Sequence, residues 1–459
     1  MTWRMCSVCR WDRPTRPCEM LACHLLSLWS IVIRSWAGDQ ACISYVAANP
    51  LIRPVEKRGL AFDYNGDKVR GVNLGGWFVL EPWITPSIFE PYKNSGVVDE
   101  YTLTQFLGRD AAQALLESHW NSFITEADFQ EIASFGLNHV RIPVGYWALN
   151  PLSGDPYVQG QLPVLDRAIG WARNAGLKVM LDLHGAPASQ NGFDNSGRYG
   201  AVNWQSGDTV ASTVTAIRNL AARYAGQSDV VTAIELLNEP AGFSPNINMG
   251  TTKQFYYDGW GTIRDYNADT AVVIHDAFLD IQSEWNGFMN SQAGVNNVIL
   301  DTHIYNIFSD GENALKPCQH VQAACANGAK LAGTDKWTIV GEWTGAQTDC
   351  AKWLNGLGKG ARYDGTFPGS TYHGDCQTKY QGSVDGLLEV DKVNLAYYVE
   401  AQLDAYEAHS GWIFWTWITE SAPEWNFRDL TRAGLIPQPL TSRKFGSQCS
   451  TTACSIPGN

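Results

Sequence analysis

Leu165-Asp166-Arg167-Ala168-Ile169-Gly170-Trp171-Ala172-Arg173-Asn174-Ala175-Gly176-Leu177-Lys178-Val179-Met180-Leu181-Asp182-Leu183-His184 reads as a helix, a stop and a strand. The stretch 165–175 has helical periodicity, and Gly176 can take the left-handed conformation that closes a helix. The run 177–183 is apolar and β-branched, as expected of a strand buried on both faces. It finishes in polar residues, Asp182 and His184.

The same unit recurs along the chain. Apolar or β-branched runs lie at 69–74, 139–144, 177–183, 231–237, 271–275, 297–303, 337–341 and 411–417. Helical candidates at 125–135, 165–175, 209–224, 252–265 and 393–408 separate most of them, and Gly136, Gly176 and Gly226 stand as C-terminal stops. Eight strands with crossover helices predict an α/β chain closed as a (β/α)8 barrel, a single domain over 59–459 with long βα loops after the first, third and seventh strands. No Ser/Thr/Pro-rich linker or repeat suggests an appended module.

Composition narrows the partner. With 33 Lys+Arg against 46 Asp+Glu, the net charge is −13. That balance argues against nucleic acid or an anionic membrane surface as partner. The 19 Trp and 12% aromatic content suit stacking on the C–H faces of sugars, although most such rings serve ordinary packing.

The N-terminal segment reads as processing signals. Arg4, Arg10, Arg13 and Arg16 precede the apolar stretch 20–33, and Ser35-Trp36-Ala37 is a small-x-small cleavage site. A signal peptide at 1–37 and a propeptide at 38–58 ending in Lys57-Arg58 are expected; a signal anchor is the alternative. Cys6-x-x-Cys9 has no second pair with zinc-site spacing. The mature chain keeps six cysteines, Cys318, Cys325, Cys350, Cys376, Cys449 and Cys454. In an exported protein they fit disulfides that staple the long loops and tail, with the pairing left open. No N-x-Ser/Thr sequon occurs, so N-glycosylation is not expected.

Barrel enzymes carry their reactive groups where strands end. There the sequence places Arg141, Asp182-Leu183-His184, Asn238-Glu239-Pro240, His303-Ile304-Tyr305, Glu342 and Trp415-Thr416-Trp417, with Glu81 following the first strand. Glycoside hydrolysis needs two carboxyl groups flanking one sugar, about 5 to 5.5 Å apart when configuration is retained. Glu239 and Glu342 close strands on opposite sides of the mouth. One must be held protonated near working pH, which burial and an anionic neighbour favour.

These motifs resemble family 5 glycoside hydrolases, and among them the fungal exo-β-1,3-glucanases. The ordered set is Gly71-Val72-Asn73-Leu74-Gly75-Gly76-Trp77, His139-Val140-Arg141-Ile142-Pro143-Val144-Gly145-Tyr146-Trp147, Asp182-Leu183-His184-Gly185-Ala186-Pro187, Gln190-Asn191-Gly192-Phe193-Asp194, Leu237-Asn238-Glu239-Pro240, His303-Ile304-Tyr305 and Val340-Gly341-Glu342-Trp343. Gly411-Trp412-Ile413-Phe414-Trp415 and Ala422-Pro423-Glu424-Trp425 extend it to the C-terminal end.

The resemblance implies Glu239 as acid/base and Glu342 as nucleophile. It also implies that Glu81, Arg141, His184, Asn238, His303, Tyr305 and Trp415 hold the non-reducing glucose, and that Phe193 and Phe308 clamp the next one. Implied with them are retaining release of glucose from β-1,3-glucan, possible transglycosylation, no metal or organic cofactor, and a secreted or cell-wall monomer without a membrane span in its mature form. Endo-cleavage of β-1,4 or mixed-linkage glucan is the alternative. Ile418 departs from an expected Lys, and Thr302 and Ile304 flank His303 where the family is often richer in histidine.

Overall fold

Side chains alternate between the two faces of a strand, so a closed sheet sorts its sequence into an inside and an outside. The computed structural model, which describes residues 59–450 and Ile456, shows this sorting in eight parallel strands. They are β1 (Val69–Asn73), β2 (His139–Gly145), β3 (Lys178–Gly185), β4 (Val231–Glu235), β5 (Ala271–His275), β6 (Val298–His303), β7 (Trp337–Glu342) and β8 (Gly411–Phe414). They pair in sequence order, and β8 returns to β1 to close the barrel. The strands expected from sequence are all present, most with ends moved by a residue or more. The leader calls at 1–58, including Cys6, Cys9 and Lys57-Arg58, lie outside the described residues, as does Cys454.

Outward-facing Val72, Val140, Ile142, Val179, Leu181, Ile234, Val272, Ile274, Leu300, Val340, Trp412 and Phe414 join the main core against the helices. Inward-facing Val69, Met180, Ala233, Val273, Ile299, Ile339 and Ile413 make a separate apolar plug at the N-terminal end. One or two inward steps further along, the residues become Asn73, Asp182, Glu235, His275, Asp301 and His303, all but His303 fully or nearly fully buried. The interior therefore changes from apolar to ionic over about one residue pair along each strand.

Helices follow most strands, among them Glu126–Ser134, Gln161–Ala175, Thr209–Tyr224, Met249–Arg264, Pro317–Leu331 and Glu389–Tyr406. Gly136 (φ +79°) and Gly176 (φ +74°) end helices in left-handed geometry as expected. Gly226 does not: the helix before it runs into a 3-10 turn, Ala225–Gln227. Between β5 and β6 the described residues contain no α-helix; turns carrying the buried Trp285 make the crossover.

Two cysteine pairs settle part of the open connectivity. Cys325–Cys449 ties the helix Pro317–Leu331 to the C-terminal tail, and Cys350–Cys376 closes part of the segment between β7 and β8. Cys318 is disulfide-bonded as well. No helix among the described residues is long and apolar enough to cross a membrane.

Candidate active site

Arg141 organises the mouth. Its side chain is wholly buried, and a guanidinium in that position needs each N–H matched. Nε donates to Glu235 Oε2 (2.8 Å), Nη2 to Asn238 Oδ1 (2.7 Å), and Nη1 to Asn73 Oδ1 (3.0 Å) and Glu342 Oε1 (2.9 Å). Asp182 Oδ2 lies 3.1 Å from Nη2. One cation on β2 thus ties groups from β1, β3, β4 and β7 together, along with Asn238 just past β4. Burial opposes its charge, but Asp182, Glu235 and Glu342 outweigh this and hold it firmly protonated.

Glu342 accepts from Arg141 on one oxygen and from the Tyr305 hydroxyl (2.8 Å) on the other. Gly341 precedes it for a steric reason: a Cβ there would lie 2.0 Å from Asp301 Oδ2. Asp301 Oδ1 accepts the Gly341 N–H at 2.7 Å, so the carboxylate fixes the backbone that aims Glu342. Glu239 sits in a left-handed conformation, φ +47°, which non-glycine residues seldom adopt and which functional turns often contain. Gln190 Nε2 supports that turn by donating to the Asn238 carbonyl (2.9 Å). Asn195 Nδ2 donates to Glu239 Oε2 (3.0 Å).

His303 joins the two carboxyls. Its Nδ1 is 2.8 Å from Glu239 Oε1 and 3.4 Å from Glu342 Oε2. These oxygens can be no further apart than those two contacts end to end, which falls short of the ~6.5 Å at which inverting spacing begins. Burial disfavours a charged His303, yet Glu342, Asp301 and Glu239 raise its pKa well above the ordinary value. For Glu239, burial pushes upward, but the hydrogen bond and charge of His303, helped by Asn195, bring the carboxyl below its usual value. Glu342 is lifted by burial and by Glu239, against His303 and Arg141. Of the three groups, His303 is the one whose charged form its neighbours favour most, and it stands one hydrogen bond from Glu239.

A pocket of about 460 Å³ opens above these groups. Glu81, Glu239, Glu342, Tyr305, Trp415, Phe193 and Phe308 line it. Arg141, His184, Asn238 and His303 are not among its lining residues but touch or adjoin them: Arg141 and His303 contact the carboxyls, His184 the Trp415 ring, and Asn238 precedes Glu239. His184 Nδ1 contacts Asp182 Oδ2 (2.6 Å), and its ring stacks parallel to Trp415 at 5.5 Å. His184 Nε2, Asn238 Nδ2 and Glu81 Oε1 are buried polar atoms without a protein partner, the capacity a polyol could use. Burial, and then Asp194, raise the Glu81 pKa well above the carboxylate range.

Sequence reasoning missed part of the wall. Asp194, Asn195, Trp83, Tyr199, Phe278 and Trp425 line the pocket, as do Asn355, Lys359 and Arg362. The last three fall within the loop closed by Cys350–Cys376, so the cysteine bracket was the available signal. Asp349 holds that loop by accepting from Arg362 N (2.8 Å), Tyr363 N (3.0 Å) and Asn355 Nδ2 (2.9 Å). Lys359 Nζ reaches the Tyr199 hydroxyl at 2.6 Å, joining the segments after β3 and β7 across the mouth. Of the family departures, Thr302 donates to Asp276, while Ile304 and Ile418 pack on the core.

The cellulase model, glycosyl hydrolase family 5, matches residues 106–359. A glucan 1,3-beta-glucosidase of Blumeria graminis is 68% identical over 417 residues, covering 90% of this chain and 97% of that one. A probable glucan 1,3-beta-glucosidase A of Aspergillus fumigatus is 51% identical over 410 residues, covering 89% and 96%.

The chain belongs to glycosyl hydrolase family 5.

Among solved structures, a rutinosidase from Aspergillus niger aligns with TM-score 0.63 and 21% identity over 82% of this chain and 99% of its own. At that identity the likeness concerns the barrel fold. A second solved structure, AoRut, aligns at TM-score 0.61 and 22% identity over 81% of this chain and 97% of its own.

Proposed function

We propose that this glycoside hydrolase is a retaining exo-β-1,3-glucosidase that removes glucose from non-reducing ends of β-1,3-glucan. The observation that carries the reading is the pair Glu239 and Glu342 meeting on one imidazole nitrogen, 2.8 and 3.4 Å away. That closeness suits a double displacement better than a mechanism needing room for water between the carboxyls. The relatives named glucan 1,3-beta-glucosidase supply the substrate class.

In the first step a Glu342 oxygen attacks the anomeric carbon while the glycosidic bond breaks, and Glu239 gives its proton to the departing oxygen. The Glu239 proton comes from His303 Nδ1 along their hydrogen bond. Glu239, now a carboxylate, takes a proton from water as that water displaces Glu342, which frees β-glucose and restores the acid. Arg141 and Tyr305 keep the Glu342 oxygens oriented throughout. Glu81, His184 and Asn238 bind hydroxyls of the sugar in the pocket, Trp415 gives it a flat floor, and Phe193 with Phe308 hold the next unit. Interception of the glycosyl-enzyme by a sugar hydroxyl instead of water gives transglycosylation.

The Lys359–Tyr199 contact across the mouth supports a pocket that admits a chain end rather than its middle. We place the enzyme outside the cell or in its wall as a monomer, after loss of a signal peptide (1–37) and a propeptide (38–58). A laminarin digest sampled from the first turnovers tests the reading: glucose alone is expected, and a ladder of oligosaccharides would overturn exo action.

A further inference from the structure

Three exposed phenylalanines form one surface at the rim of the pocket. Phe193 is 39% exposed, Phe278 38% and Phe243 61%. Their ring centroids lie 6.4 Å apart for Phe193–Phe278, 6.5 Å for Phe193–Phe243 and 5.5 Å for Phe243–Phe278. Phe193 and Phe278 belong to the pocket wall, whereas Phe243 lies beyond it. The aromatic surface therefore starts inside the pocket and continues outward.

The backbone beneath this patch is built to hold it. Ala277 and Phe278 both have left-handed conformations, φ +55° and +60°, an arrangement that carries strain in non-glycine residues. It is secured by Phe278 N–H donating to Asp276 Oδ1 (2.8 Å) and Ala277 N–H to His275 Nδ1 (2.9 Å). Gly242, next to Phe243, donates its N–H to the Ala277 carbonyl at 3.2 Å. A Cβ on Gly242 would fall 2.6 Å from that oxygen, so only glycine lets the two loops approach this closely. The backbone segments that carry Phe243 and Phe278 are thereby held together, with the two ring centroids 5.5 Å apart.

Holding a large apolar ring in water on a rigid loop stabilises nothing by itself, and a contiguous exposed apolar patch marks a binding surface. Three rings are far too small an area for a stable protein partner. Flat rings continuous with a sugar pocket suit the apolar faces of further sugars.

We propose that Phe243, backed by Phe278, binds glucosyl units of the β-1,3-glucan beyond the one clamped by Phe193 and Phe308, and so sets a preference for longer chains. The inference rests on the β-1,3-glucosidase reading above. Units on the leaving-group side occupy it during hydrolysis, and acceptor chains occupy it during transfer.

The test measures kcat/KM for Phe243→Ala and wild type on laminaribiose, laminaritriose and laminaripentaose. Laminaribiose turnover should match wild type within about twofold, because the short chain does not reach the ring. Laminaripentaose should lose about five- to tenfold, the scale of one ring-stacking contact, mostly through KM. Phe243→Tyr should restore the long-chain preference, and matched melting temperatures exclude a folding effect. An unchanged length profile in Phe243→Ala, or equal loss on laminaribiose, would overturn the inference while leaving the catalytic reading intact. Wild-type protein inert on the whole series would overturn both.

Discussion

The two ends of this barrel's interior are made from the same strands with opposite chemistry. On β6, Ile299 belongs to the apolar plug, Asp301 two residues on holds the backbone of Gly341, and His303 two further on bridges the candidate catalytic carboxyls. On β3, Met180, Asp182 and His184 repeat the progression. The lower layer gains stability by leaving water, at about 25 cal/mol per Å² of apolar surface. The upper layer gives some of that up: buried charges remain tolerable only while each has its partner. Stability and chemistry should therefore separate by level along a strand, and substitutions can test whether they do.

The largest effect is expected at the top. Glu342→Gln removes the proposed nucleophile with little change of shape and should lower kcat by about 10³-fold or more, while Glu239→Gln should cost about 10²–10⁴-fold on unactivated glucan. Both proteins should melt within a few degrees of wild type. Large unfolding in either variant would mean that the carboxyls mainly hold the barrel together.

At the bottom, Ile299→Ala should lower unfolding free energy by about 2–5 kcal/mol through lost burial and a residual cavity. Its kcat at a temperature where it remains folded should stay within about twofold of wild type. Chemical denaturation paired with laminarin kinetics checks this, and a collapse of kcat without loss of stability would break the division between the levels.

The smallest effect concerns pH. Burial pushes Asp194, Asp276 and Glu424 up to about 7 and Glu100 to about 8, above the ~4 of an unfolded chain. Between these limits the four acids hold more protons in the folded protein than in the unfolded one, so their contribution to stability falls as pH rises. Glu239, held below its usual value, acts in the opposite sense at lower pH, and so do His119, His139, His275 and His320, whose pKa values burial lowers below the ~6.5 of an unfolded chain. Melting curves should therefore show a midpoint a few degrees higher near about pH 6.5 than near about pH 8. A midpoint that rises across that interval would contradict the assignment of neutral buried acids.

The sequence made some of this legible because chemistry and period coincide. A strand buried on both faces is a short apolar run, and a polar residue terminating such a run stands out, as with Asp182, His184, Asn238 and Glu342. Less visible was the helix Pro317–Leu331, whose Cys318, Cys325, Asn327 and Gly328 weaken any apolar periodicity. The packing of that helix draws on disulfides that propensity does not register. Lys359 and Arg362 reach the pocket through the conformation of a long loop held by Asp349, and nothing in their immediate neighbours encodes that approach. Phe243 was hidden for the same reason, since its placement depends on Gly242 meeting a carbonyl from another loop.

The central claim is that Glu239 and Glu342 stand close enough for one to attack the sugar while the other protonates the departing oxygen. Proton NMR of the first glucose released from laminarin, recorded before mutarotation, reads this out in the anomeric signals. The account predicts β-glucose as the initial product, with the α-anomer growing in only afterwards. Initial release of α-glucose would mean direct displacement by water, and would contradict the proposed covalent role of Glu342.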